Sequence, residues 1–458
     1  MTETTISAAE ELFPYEIGAR TPVAKSAAKL SFFFLCLFTV AVYGRPEDIF
    51  PVVGQLHLTL ILGACAAVSF IGSLFSGNAS LLRSRELPYM LLLTAWFMAG
   101  VPFAYWRGGS FQILTEVWAK TLLIFFLLTQ TLVSLARVRL VLWAIIFSEL
   151  AVSAYSILNP AASAWIGDRM SGISLGILGW NFLGIAAALT IPYIAALFID
   201  RPSFINSCLL AATTIAMLWM LVLTASRSGV LTVAFSIALT WLSVLRGTAR
   251  GKAIGIVLII ALVGAICVAP GVFWQRMQTM WSSSSPTTMD EASAQASEDE
   301  RAEALKRSIR YTIEHPIFGL GLGNFSAASG NEIGQPNAWI GAHNSYTELS
   351  SEGGIPALLI FLAMMSVTIV SMRRIGRADY AGPEGPQLSR MARATWCSLV
   401  SFLFGACFAH ISYEYFLYYP VAFAAGIEYI AARTLLSADS QTTLESSESF
   451  EAVPLVSR

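Results

Sequence analysis

Charge is the scarcest property of this sequence. Only 12% of its residues are Asp, Glu, Lys or Arg, about half the roughly 25% of a soluble globular chain. What charge there is nearly cancels, at a net of −1, so no overall field draws the chain to nucleic acid. Histidine is rare, with four in the chain, and the six cysteines (Cys36, Cys65, Cys208, Cys267, Cys397 and Cys407) form no C-x-x-C pair. All six lie inside apolar runs, which reads as packed thiols rather than disulfides or zinc ligands. No convincing internal repeat is visible.

What is abundant is hydrocarbon: 56% of residues are hydrophobic and the mean hydropathy is +0.65. A membrane span needs about 20 mostly apolar residues. Candidate spans fall at 30–43, 56–76, 87–105, 117–135, 138–158, 175–199, 204–224, 228–245, 253–272, 346–370, 394–411 and 414–434. The expected fold is therefore all-α, a polytopic bundle of twelve transmembrane helices. A cytoplasmic tail (1–29) precedes helices one to nine (30–272), and a large, partly helical periplasmic loop (273–345) leads to helices ten to twelve (346–436). A disordered tail (437–458) ends the chain. No small-residue cleavage site follows the first apolar run, so it reads as a retained span. Lys and Arg cluster at alternate turns, as in Arg83/Arg85, Arg137/Arg139, Arg246/Arg250/Lys252 and Arg373/Arg374/Arg377. By the positive-inside rule both termini are then cytoplasmic and 273–342 faces outward.

The main polar interruption runs from Glu298 to Gly354. Residues 282–300 are Ser-rich and acidic without periodicity. An amphipathic helix then covers roughly 298–314, with Ala302, Leu305, Ile309 and Ile313 near helical spacing. Arg301 and Lys306 flank that stripe and Arg307 and Arg310 lie further round; periodicity does not choose among the four. Pro316 ends the helix. Gly319, Gly321 and Gly323 then make either an ordinary tight turn or a place where backbone amides approach an anion. His343 follows at the outer mouth of the tenth span. An imidazole titrating near neutrality can act as a base toward a hydroxyl, or simply sit solvated at a helix start. Asn344 and Glu352 are placed to orient or charge-balance the ring.

Arg227, in a hairpin between the seventh and eighth spans, is costly so near hydrocarbon without a partner or a polar cavity, and its fork suits a phosphate. Arg45, Arg169 and Lys120 belong to the same outward face. Each alone fits a snorkelling or ion-paired residue; together they form a cationic set suited to an anionic lipid head group. Smaller roles fall to His410, beside Tyr413 and Glu414 at the turn between the last two spans, as a lining of an acceptor path or a packing residue. Glu149, in mid-span, should face a partner inside the bundle.

Taken in order, Ser226-Arg227-Ser228-Gly229, Arg301 fourteen residues before His315-Pro316, Gly319-x-Gly321-x-Gly323-Asn324-Phe325, and His343-Asn344 with Glu352-Gly353 resemble the O-antigen ligase and Wzy-type polymerase superfamily. The resemblance covers about 220–360 by motif and the remainder by topology. One departure is Leu305, where the family often carries an aromatic. The resemblance implies an inverting, metal-independent and cofactor-free glycosyl transfer from an undecaprenyl-diphosphate-linked glycan donor to a lipid or glycan acceptor. The setting is the periplasmic face of the bacterial inner membrane. It implies Arg227 and Arg301 on the diphosphate and His343 as base, and among the four basic residues of the loop helix it selects Arg301. Preorganised cations aimed at a departing diphosphate lower its barrier, and so good a leaving group has less need of an acid, in keeping with the absence of a paired-carboxylate motif in the loop. Wzy-type polymerases and protein O-oligosaccharyltransferases share this chemistry. A lipid-linked sugar transporter or flippase is the alternative of another class, but transporters commonly show internal repeats, and the polar candidates here lie on one face.

Overall fold

The structure, a computed structural model, describes residues 28–160, 164–166, 169–172, 180–278, 289–335 and 341–451. The expected N-terminal tail lies outside these residues apart from its last two positions. The chain is a helical membrane protein. Among the described residues, seven helices are long and apolar enough to cross a bilayer, including Arg107–Thr131, Leu135–Leu158, Phe204–Leu223, Arg227–Leu245, Ala249–Cys267 and Ser345–Ile375. Shorter apolar helices cover Lys29–Gly44, Leu87–Phe103 and Leu183–Ile199. The elements used below are α1 (Lys29–Gly44), α2 (Leu58–Phe75), α3 (Leu87–Gly100), α4 (Arg107–Thr131), α5 (Leu135–Leu158) and α6 (Trp180–Ile199). They continue as α7 (Phe204–Leu223), α8 (Arg227–Leu245), α9 (Ala249–Cys267), α10 (Gly271–Gln278), α11 (Met289–Glu314), α12 (Phe325–Glu332), α13 (Ser345–Ile375), α14 (Gly385–Gly405) and α15 (Tyr415–Glu451). Between α5 and α6 a two-stranded antiparallel hairpin pairs β1 (Ala164–Ile166) with β2 (Arg169–Gly172), setting Ile166 opposite Arg169.

Burial follows a lipid solvent rather than water. Leu60 and Val68 on α2 and Val257 and Ile260 on α9 are all more than half exposed, an arrangement that costs nothing where hydrocarbon replaces water. The centre is formed by α6, α14 and the first half of α15, where Ala188, Ala195, Phe402, Tyr418, Tyr419 and Phe423 are sealed from solvent. Helices in lipid approach closely where side chains are small. Here α6 crosses α8 at Gly184 and Gly229: a Cβ on Gly184 would lie 2.4 Å from the Gly229 Cα. Glu149 of α5 is buried and accepts a 2.9 Å hydrogen bond from the Thr190 hydroxyl of α6, which supplies the partner expected for a carboxylate at that depth.

Two sets of contacts define the two ends of the bundle. At one end Gln130 bonds Leu82, Arg139 bonds Gln387, and Asp200 receives Arg390. A cavity of about 300 Å³ also lies there, lined by Leu135, Gly382, Glu384, Leu388 and Thr434. The other end carries Arg227, the loop following α9, His343 and the turn before α15. Of that loop, α11 begins at Met289 rather than near 298, and residues 279–288 and 336–340 lie outside the described set. Helix α13 is broken at Gly354 (φ 76°, ψ 175°), so a short outer segment, 345–353, meets the spanning part at an angle. At the chain's end α15 runs on to Glu451, into the segment read from sequence as a disordered tail.

Candidate active site

Three separated segments build the site. The first is the start of α8. Ser226 caps this helix, its hydroxyl accepting the Gly229 N–H at 3.2 Å, and this sets Arg227 in the first turn with its side chain 8% exposed. The Gly184–Gly229 crossing lies half a turn further on, so the final glycine of the Ser-Arg-Ser-Gly motif seats the helix that carries Arg227.

The second segment is α11. Its buried face is Ala304, Ser308 and Tyr311, with Arg301 and Arg307 half-buried at its edges. The stripe of Ala302, Leu305, Ile309 and Ile313, singled out by its spacing, points away and is exposed. Glu298, one turn before Arg301, forms an ion pair with Arg227, which ties α11 across the end of the bundle to α8. Burial, and next the charge of Arg227, hold the Arg301 guanidinium below its ordinary range, while Glu298 and Glu300 act in the opposite sense. The Arg301 Nε is enclosed and makes no hydrogen bond within the protein. Two neighbouring guanidiniums that repel each other suit a doubly charged anion such as a diphosphate.

The third segment is the entrance to α13. Asn344 caps it, its Oδ1 accepting from the N–H groups of Tyr346 (2.9 Å) and Thr347 (3.1 Å), while its Nδ2 donates to the Cys407 carbonyl. Ser345 stitches the same turn to the loop before α15. Its N–H donates to the Ala406 carbonyl, its hydroxyl donates to the Ala409 carbonyl and accepts from the Ile411 N–H, and its own carbonyl accepts from the Ser412 hydroxyl. This stitching brings His410 to His343, ring centroids 5.1 Å apart and nearly perpendicular. His343 takes a left-handed backbone (φ 54°), which is uncommon for a residue other than glycine. Burial, then His410 and Arg301, lower its pKa from 6.5 to about 3. The influence of Arg301 on the imidazole places the two in one electrostatic neighbourhood.

The glycine turn proves to be a structural clasp. Gly319, Gly321 and Gly323 all have positive φ, and a Cβ on any of them would strike, respectively, the Glu352 backbone, Ala104 or Ile113 within 2.6 Å. The Leu320 and Gly321 N–H groups pair with the Ser351 and Glu352 carbonyls, and Asn324 bonds Trp106, Ser110 and Leu320. An acidic group does meet these amides, but it is the protein's own, its pKa raised by burial to about 7. Glu352, 4% exposed, accepts the Gly323 N–H on one carboxylate oxygen (2.8 Å) and the Phe325 N–H on the other (2.9 Å). Asn344 and Glu352 are thus committed to the backbone in place of the His343 ring.

The remaining predicted residues are distributed around this end. Arg45, at the end of α1, pairs with Asp48 at 2.5 Å and lowers the pKa of Glu414, which burial nonetheless raises to about 7. Glu414, four residues after His410, was named beside it from the sequence; its signal was an isolated carboxylate at the start of an apolar span. Lys120 is exposed on α4, and Arg169 stands in β2 with its side chain outside the described set.

Fold and site together define a multi-pass membrane protein with arginine and histidine side chains gathered at one end of its bundle. Residues 212–362 match the family model described as O-antigen ligase. That stretch contains Arg227, Arg301, His343 and Glu352, and the match supports the likeness to the O-antigen ligase and Wzy-type superfamily. No curated protein matches the chain. The match suggests a ligase- or polymerase-like role in glycan assembly, with a lipid-linked glycan and an acceptor as partners in general.

Proposed function

We propose that this protein transfers a glycan from an undecaprenyl-diphosphate-linked donor to an acceptor hydroxyl, with inversion, at the outward face of the bacterial inner membrane. The observation that supports the reading is that Arg227, Arg301 and His343, from α8, α11 and the entrance to α13, lie at one end of the bundle within electrostatic reach of one another, Arg227 acting on Arg301 and Arg301 on His343. In the proposed step His343 accepts the acceptor hydroxyl proton while that oxygen attacks the anomeric carbon from the face opposite the diphosphate. The anomeric C–O bond breaks and its electron pair goes to the diphosphate, held by Arg227 and Arg301. The products are the glycosylated acceptor and undecaprenyl diphosphate, and the imidazolium returns its proton to water. Two fixed guanidiniums provide the charge stabilisation, so the step needs neither metal nor cofactor. Asn344, through its cap, and the Ser345 stitching act as positioning groups for His343, and Arg45 and His410 line the acceptor side. The twelve-span topology with both termini cytoplasmic and 273–345 outward belongs to this proposal.

The test uses purified protein in nanodiscs with an undecaprenyl-diphosphate glycan and a panel of lipid, glycan and peptide acceptors. Wild type should form a glycosidic bond and release undecaprenyl diphosphate, and the productive acceptor class separates ligase, polymerase and protein glycosylation. His343→Ala should bind donor but lose transfer by about 10²–10⁴-fold, the range of a general base. Donor moved across vesicles with no bond formed would identify a transporter and end the proposal.

A further inference from the structure

Helix α11 has three faces, and one of them matches neither protein nor water. Its inner face is buried on the bundle, and a second face carries Glu303, Lys306 and Arg310, the last two ion-paired with Glu303 and Glu332. Between them run Leu305, Ile309 and Ile313, recurring at helical spacing and exposed, Ile313 by 72%. The helix is fixed to two different spans at the same end of the bundle. Glu298 pairs with Arg227 at the start of α8. Just beyond the other end, the Pro316 carbonyl accepts the N–H of Ile355, the first residue of the spanning part of α13 (2.9 Å). The sixteen helical steps from residue 298 to residue 314 rise about 24 Å, so α11 lies across the bundle end, along the membrane plane.

We infer that the Leu305–Ile309–Ile313 face of α11 rests on the lipid of the outer leaflet. The apolar surface does not stop at the helix. It passes through Ile317 (58% exposed) to Ile355 and Leu359 (43% and 59%) on α13, which already face hydrocarbon. A solvent-exposed stripe of this kind is unfavourable in water, whereas an interfacial helix buries such a face at the acyl boundary and keeps its charged face wet. Lys306 borders the stripe, where its stem can lie along the lipid while its ammonium stays in water. The lipid contact sets the height of α11 above the bilayer and hence the height of Arg301 on its inner side. The inference rests on the membrane reading of the bundle and is independent of the proposed chemistry.

The experiment places the photo-crosslinker benzoylphenylalanine at Ile309, Ile313 and, as a control on the charged face, Glu303, each in full-length protein in nanodiscs of phosphatidylethanolamine and phosphatidylglycerol. Monodispersity and thermal unfolding screen each variant for folding. Mass spectrometry should find lipid adducts at 309 and 313 several-fold above those at 303. Adducts to a second copy or to nanodisc scaffold protein, or equal lipid labelling at all three positions, would overturn the inference. A second reading uses Ile309→Asp with Ile313→Asp, which leaves the inner face untouched. Hydrogen exchange over α11 should rise in nanodiscs, and unchanged exchange would argue against the lipid contact.

Discussion

The carboxylate of Glu298 sits on the guanidinium of Arg227. If Arg227 binds a diphosphate, as proposed, the incoming anion must displace this carboxylate, and the pair acts as an internal competitor. Arg227 is buried and Glu298 is 39% exposed, so the pair is partly screened and its contribution modest. Glu298→Gln should tighten undecaprenyl diphosphate binding by about two- to five-fold, the range of a partly exposed pair, with Glu303→Gln, on the exposed face and paired with Lys306, as the control. Isothermal titration in detergent reads the effect. An unchanged Kd would mean that the anion does not enter at Arg227.

The pH dependence of transfer follows from the neighbours of His343. Burial, His410 and Arg301 push its pKa down to about 3, so the free imidazole stays neutral, and able to accept a proton, well below pH 6.5. The acid limb of kcat/KM, which reports the free enzyme, should therefore fall below pH 5. A bound diphosphate offsets the charge of Arg301 and favours imidazolium, so the acid limb of kcat should lie higher than that of kcat/KM. An acid limb of kcat/KM near 6.5 would contradict the depressed value.

The helical membrane character was legible because span length and hydropathy are local signals. Arg227 and His343 stood out as polar groups at the margins of apolar runs, whereas Arg301 stood out only through the family resemblance. Their surroundings were not legible. Spacing marked Leu305, Ile309 and Ile313 as the important stripe of α11, yet the packed face is Ala304, Ser308 and Tyr311, because in a membrane protein an apolar stripe can face lipid while small and polar residues face the core. The contact of His343 with His410 depends on the bonds of Ser345 to 406–412, and pairing across such a separation leaves no periodic trace. The partner of Glu352 was hidden for the same reason: its carboxylate meets N–H groups, which carry no side-chain signature.

That carboxylate leads to a stability prediction. Each oxygen of Glu352 accepts from a different backbone donor, Gly323 through Oε2 and Phe325 through Oε1. Glutamine has the same shape but one acceptor oxygen, so Glu352→Gln sets an amide N–H₂ against one of the two N–H groups. A buried donor left unsatisfied costs about 1–3 kcal/mol, and Glu352→Gln should lose stability in that range. Denaturant unfolding in detergent gives the measurement. Stability equal to wild type would show that the clasp of the glycine turn does not depend on this pair of bonds.

The crossing of α6 and α8 tests how far the position of Arg227 depends on packing remote from the site. A methyl on Gly184 would lie 2.4 Å from the Gly229 Cα, against backbone that cannot yield without moving a helix. A methyl on Gly229 would instead lie 2.9 Å from the Leu221 Cδ1 and 3.1 Å from the Ser226 Oγ, side-chain atoms that can shift. Gly184→Ala should therefore be the more damaging substitution although it is the more distant from Arg227 in sequence. It forces α8 away from α6, and Arg227 and the cap at Ser226 move with the helix. Overpacking of a close-packed site costs about 1–3 kcal/mol, and the displaced guanidinium adds a loss of donor affinity. Thermal unfolding and undecaprenyl diphosphate binding, measured on both variants, separate the two effects. If Gly229→Ala proved the more harmful, the motif glycine would matter for the cap at Ser226 rather than for the helix crossing.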